Sequence, residues 1–128
     1  MSYQSDIYDA ILACEPLTDR IGERVSWDVA DGTTVAPFMV LQTISPLSQT
    51  THDGDRSVCF DLIQVSIWAT GKSTALAIAA IFKTELEGRE LGGESELSLS
   101  YAGGSSSYDV ETKLFGESID YRVHATIT

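Results

Sequence analysis

A chain of 128 residues with 43% hydrophobic side chains and a mean hydropathy of +0.01 has the size and composition of one folded domain, residues 1–128, rather than of a disordered segment. Nineteen acidic side chains against eight basic ones give a formal net charge of −11. That is the wrong sign for gripping phosphates, and the basic residues, scattered from Arg20 to Arg122, form no run.

The first residues, MSYQSDIYDAILACEP, lack the basic start and apolar stretch of a signal peptide, and no segment approaches the roughly 20 apolar residues of a spanning helix, so no membrane partner is expected. Cys14 falls in a predicted helix and Cys59 in a predicted strand, which reads as core thiols rather than as a disulfide framework.

Ser5 is placed to cap a first helix, with Asp6 in its first turn and Ile7, Ala10, Ile11 and Cys14 at helical spacing. Pro16 ends that helix near Cys14 or Glu15, and residues 17–22 form one further short helical turn closed by Gly22. Residues 24–28 read as a short strand carrying Val25 and Trp27, followed by a loop over 30–36. Pro37 opens a second strand over 38–45, apolar on both faces at its start, and Pro46 ends it. The polar connection 47–56, LSQTTHDGDR, with Asp53-Gly54 near its tip, forms a long hairpin loop or an arm.

Residues 57–88 read as a long strand, a tight turn and an amphipathic helix. In the strand Ile63, Val65 and Ile67 share one face, whereas the earlier apolar set Val58, Phe60 and Leu62 has the opposite phase. Either a β-bulge sits near Leu62-Ile63, or the first half is covered by something other than this chain's own helices, which implies a subunit interface. The helix takes Ser73 or Thr74 as N-cap, buries Ala75, Ile78, Ala79, Phe82 and Leu86, and stops at Gly88. After a Gly- and Glu-rich connection, three alternating strands over 97–101, 108–114 and 119–127 close the chain, with AGGSSS (102–107) as a flexible turn and 115–118 as a hairpin turn. The expected fold is α+β: an antiparallel sheet of about five to six strands with two helices packed on one face.

The strand-GKST-helix arrangement at Gly71-Lys72-Ser73-Thr74 invites comparison with a phosphate-binding loop, and a small nucleotide- or phosphate-binding enzyme is the alternative reading. The first glycine of that motif would fall at Ser66, inside the alternating strand, so a helix cap after a strand is the better account. The acidic run His52-Asp53-Gly54-Asp55 has Val58 and Gln64 where a calcium loop needs glycine and glutamate. His52 and His124 lack zinc-ligand spacing. Pairing Cys59 with either histidine as nucleophile and base would need an electropositive pocket that this composition is poorly equipped to make. No catalytic, cofactor or metal residues are assigned.

The order of features has a counterpart. An N-terminal helix, a proline and LTDRIGERV (17–25) are followed by PFMVLQ (37–42), the Asp-Gly loop THDGD, and QVSIWA (64–69) running into STALAIAAIF. Over roughly residues 5–87 this resembles the tail completion or tail terminator (tail-to-head joining) proteins of long-tailed bacteriophages and prophages.

The resemblance implies a non-enzymatic virion subunit, assembled in the bacterial host cytoplasm. It would cap the head-proximal end of the tail tube as a hexameric ring, stop tube polymerisation and join the tail to the head-neck connector. DNA would pass the lumen without specific binding, and no cofactor is implied. The candidate assembly contacts are Thr51, His52, Asp53, Gly54, Asp55 and Arg56 in the connection, and Val58 and Phe60 on the misphased half-strand.

Overall fold

Alternation along the strands and a three-to-four-residue stripe on each helix sort the apolar side chains onto one layer boundary. In the computed structural model, which describes residues 3–28, 35–45, 48–50, 57–91 and 97–127, that boundary is the core. Helix α1 (Tyr3–Leu12) buries Ile7 and Ile11. Helix α2 (Glu15–Ile21) buries Leu17 and Ile21, with Pro16 in its first turn, where a missing backbone N–H costs nothing. The proline thus opens a second helix, and residues 17–22 are more than a turn. Helix α3 (Lys72–Glu85) presents Ala75, Ile78, Ala79 and Phe82 to the sheet, and Leu86 just beyond its end is also buried. Its N-cap is Gly71 in extended conformation rather than Ser73 or Thr74, which lie in its first turn.

Among the described residues seven strands form one sheet: β1 (Val25–Trp27), β2 (Phe38–Ser45), β3 (Ser48–Thr50), β4 (Ser57–Cys59), β5 (Leu62–Ala69), β6 (Leu97–Asp109) and β7 (Leu114–Ile127). Because β3 continues the line of β2 and β4 that of β5, they lie in five rows: β1, β2 with β3, β5 with β4, β7, and β6. The β1–β2 pairing is parallel and every other pairing is antiparallel. The α+β class expected from the pattern holds, with three helices and a mixed sheet.

The inward set is Met39 and Leu41 on β2, Ile63, Val65, Ile67 and Ala69 on β5, Leu97 and Leu99 on β6, and Ile119, Tyr121, Val123 and Ala125 on β7. All join the helix residues in one cluster. Burying an aliphatic side chain of this size contributes about 1.5–3 kcal/mol, so this layer boundary is the main source of stability.

Two expectations about the C-terminal strands fail together. The AGGSSS segment lies within β6, residues 115–118 lie within β7, and the turn joining these strands is residues 110–113. Asp109 organises that turn: its carboxylate accepts the Glu111 N–H at 3.0 Å, and its carbonyl accepts the Lys113 N–H at 2.7 Å. The glycines that suggested turns are close-approach residues. A Cβ on Gly104 would sit 2.9 Å from the Ser118 carbonyl oxygen, and one on Gly116 would sit 2.7 Å from the Trp68 ring.

Candidate functional site

The phase switch in the long strand resolves through register. Cys59 pairs with Ala125 and Leu62 with Arg122, three residues apart on both strands, so nothing is inserted along β4 and β5. The bulge lies opposite, in β2, where Thr43 pairs with Ile63 and Ser45 with Leu62, leaving Ile44 extra. Strand alternation therefore runs straight through residues 60–62. Phe60 and Leu62 face away from the helices, and Asp61 faces them.

Asp61 is 6% exposed. The Tyr3 hydroxyl donates to its Oδ2 at 2.7 Å and lies 3.0 Å from Thr43 Oγ1. The Asp61 carbonyl also accepts the Val123 N–H at 2.8 Å. This polar post joins α1, β2 and the β4–β5 line, and satisfied polar groups of this kind specify a unique alignment. Sequence reasoning passed over Asp61, although its signal was present: an acid at the inward parity between two apolar runs.

The outward face has its own composition. Phe38 lies opposite Trp68, Val40 opposite Ser66, Gln42 opposite Gln64 and Ser45 opposite Leu62. The next row adds Asp120 and Arg122 from β7. Phe60 meets the His124 ring edge-on with centroids 5.6 Å apart, and Arg122 Nη1 donates to the Phe60 carbonyl at 2.9 Å. Phe38, Val40, Phe60, Leu62, Trp68 and His124 are all half-buried, without a helix of the described residues above them. Across β2, β5 and β7 the described outward side chains include two fixed charges, Asp120 and Arg122. Aromatic enrichment with few charges is the composition of an interface centre.

Of the sequence candidates, Phe60 lies on this face. Val58 belongs to β4, with its side chain outside the described residues, and Thr51, His52, Asp53, Gly54, Asp55 and Arg56 lie outside them entirely.

The turn at Gly71-Lys72-Ser73-Thr74 shows why it is a poor phosphate cradle. β5 ends at Ala69 and α3 begins at Lys72, so two residues separate strand from helix, too few to wrap an anion. Lys72 and Ser73 are exposed. Among the described residues no three His, Cys, Asp or Glu side chains gather into a metal-ligand set, and no helix is long and apolar enough to cross a membrane. Cys14 is a half-buried free thiol.

Neither a protein-family model nor a curated protein sequence matches the chain. Among solved structures, a chain of the virion of a native gene transfer agent particle has the same fold. The TM-score is 0.75 and the identity 21%, over 97% of this chain and 94% of that one.

Proposed function

We propose that the chain is a non-enzymatic structural subunit of a phage tail or phage-like particle, working over residues 1–128 as one tail-terminator-like domain. In this reading it caps the head-proximal end of the tail tube as a hexameric ring, stops tube growth and offers the head-neck connector a docking surface. It needs no cofactor or metal. It is assembled in the bacterial host cytoplasm and resides in the virion tail.

The carrying observation is the fold shared with a virion chain over nearly the full length of both. Two further features support it. The outward sheet face around Phe60 has the half-buried aromatics and sparse charge of a contact surface. The net charge of −11 suits a lumen that DNA traverses without adhering. In the same reading residues 51–56 contact a neighbour or the tube, and Val58 and Phe60 lie under a partner.

The test is genetic and microscopic. Loss of the chain from its particle should give tails of uncontrolled length without attached heads, and supplying it in trans should restore both. A chain lacking Asp53-Gly54-Asp55, with a short turn in their place, should fold but cap tails poorly. Tails of normal length joined to heads in the absence of the chain would refute the proposal.

A further inference from the structure

One edge of the sheet is open over most of its length. Among the described residues β6 pairs with β7 and has no strand on its other side. Residues 88–91 bond only its start: the Gly88 N–H donates to the Leu99 carbonyl at 2.9 Å and the Leu91 N–H to the Leu97 carbonyl at 2.8 Å, and the Leu97 N–H donates to Glu90 Oε1 at 2.8 Å. Exposed strand edges are templates for other chains, and proteins blunt them with charge, proline or brevity. β6 is 13 residues long, and its open part from Tyr101 to Tyr108 carries neither a charge nor a proline. Its one irregularity lies between Tyr101 and Gly103, beyond which pairing to β7 is regular through Asp109.

The helix layer stops short of this edge. Helix α3 lies over β5 and β7, leaving an open groove of about 410 Å³ lined by Leu76, Ala80, Lys83, Tyr101, Ser106 and Glu117, among others. Leu76 is 46% and Tyr101 53% exposed, a high exposure for large side chains side by side. Lys83 Nζ sits 5.0 Å above the Tyr101 ring. Lys72 lines the adjoining depression with Tyr108 and Phe115.

The other side of the molecule has the complementary character. There β1 is flanked by α1, whose Gln4 carbonyl accepts the Trp27 indole N–H at 3.1 Å, and α2 packs against both α1 and α3. Asp9, Glu15, Asp19 and Glu23 stand exposed on and just beyond α1 and α2, with Arg20 the one exposed base among them. A chain of net charge −11 repels its own copies, so a self-contact is favoured where lysines meet these acids.

We propose that the β6 edge and the α3–β6 groove receive the β1 and α1–α2 side of a second copy, head to tail. The contact covers Leu76 and Tyr101 and sets Lys72 and Lys83 against the acidic helices. Because it joins two different patches, the contact repeats from copy to copy instead of stopping at a pair. The expectation that it closes into a ring rests on the tail-terminator reading; the contact itself does not.

Zero-length carbodiimide cross-linking of a mixture of isotope-labelled and unlabelled purified chain tests it. Mixed-isotope cross-links should join Lys72 or Lys83 to Asp9, Glu15, Asp19 or Glu23. Leu76→Glu, at an exposed helix position, should keep the melting curve and weaken self-association by about tenfold or more. The proposal is overturned by a chain that stays monomeric at high micromolar concentration. It is equally overturned by inter-copy links confined to other surfaces, by mixed-isotope Lys83–Glu117 links showing groove against groove, or by unchanged association of Leu76→Glu. A chain that associates in this way but leaves tails uncapped would refute the tail role alone.

Discussion

At Tyr121 the sheet meets α3: its ring lies 5.4 Å from that of Phe82, and its side chain is fully buried. Burial first, and then the Glu87 carboxylate beside it, push its phenol well above the ordinary range. A raised folded-state pKa means that the neutral phenol stabilises the fold below the unfolded pKa of about 10 and that this contribution is lost as pH rises beyond it. Urea titrations should therefore show stability falling above that pH, with about 1.4 kcal/mol per pH unit of the slope due to this one group. Tyr121→Phe should remove that part of the slope, and an unchanged slope would count against the assignment. The inward placement of Tyr121 was legible from the alternation of Ile119, Tyr121, Val123 and Ala125. The Asp61–Tyr3 bond, between residues 58 positions apart, was not, because no local pattern pairs an acid with a distant phenol.

Among the elements, periodic apolar spacing located β2, β5, the part of β7 from Ile119 onward and the buried stripe of α3, because each has a face committed to the core. It misread β6. There Gly103, Gly104 and three serines look like a turn by composition, yet they form an extended edge whose small side chains allow close packing on β7. Gly104→Ala separates the two accounts. A turn glycine with room around it would accept the methyl group, whereas here the methyl meets a backbone carbonyl that cannot step aside. The variant should lose about 1–3 kcal/mol, read as a lower urea midpoint with an unchanged slope. A neutral result would mean that β6 and β7 separate more easily than this register implies. The α2 start was misjudged for a related reason: a proline that ends one helix is equally suited to the first turn of the next.

Across the whole molecule the two sheet faces have different tasks. The helix side closes the core, and the outward side keeps half-buried aromatics with few charges. The sequence showed that the apolar phase changed near Leu62, but two physical causes produce the same pattern, and only the pairing of β2 with β5 puts the bulge at Ile44 and leaves Phe60 facing outward. If that face is a contact, stability and assembly should separate there. Phe60→Ser gives up the edge-on ring contact with His124 and should cost about 1 kcal/mol in the isolated chain. On the proposed tail-terminator reading it should impair tail capping far more, counted as uncapped tails in electron micrographs. Normal capping by this variant would remove Phe60 from the contact.

The chain's two tryptophans fall on opposite sides of the sheet, which equips the protein with an optical readout of its own. Trp27 stands edge-on to Tyr3 on the helix side of β1, beside the edge that the head-to-tail contact would cover. Trp68 lies over Gly116 on the outward face, where a docking partner would exchange water around the half-buried indole for protein. Emission from a Trp27→Phe chain would then report contacts at the outward face, and emission from a Trp68→Phe chain would report contacts at the β1 side.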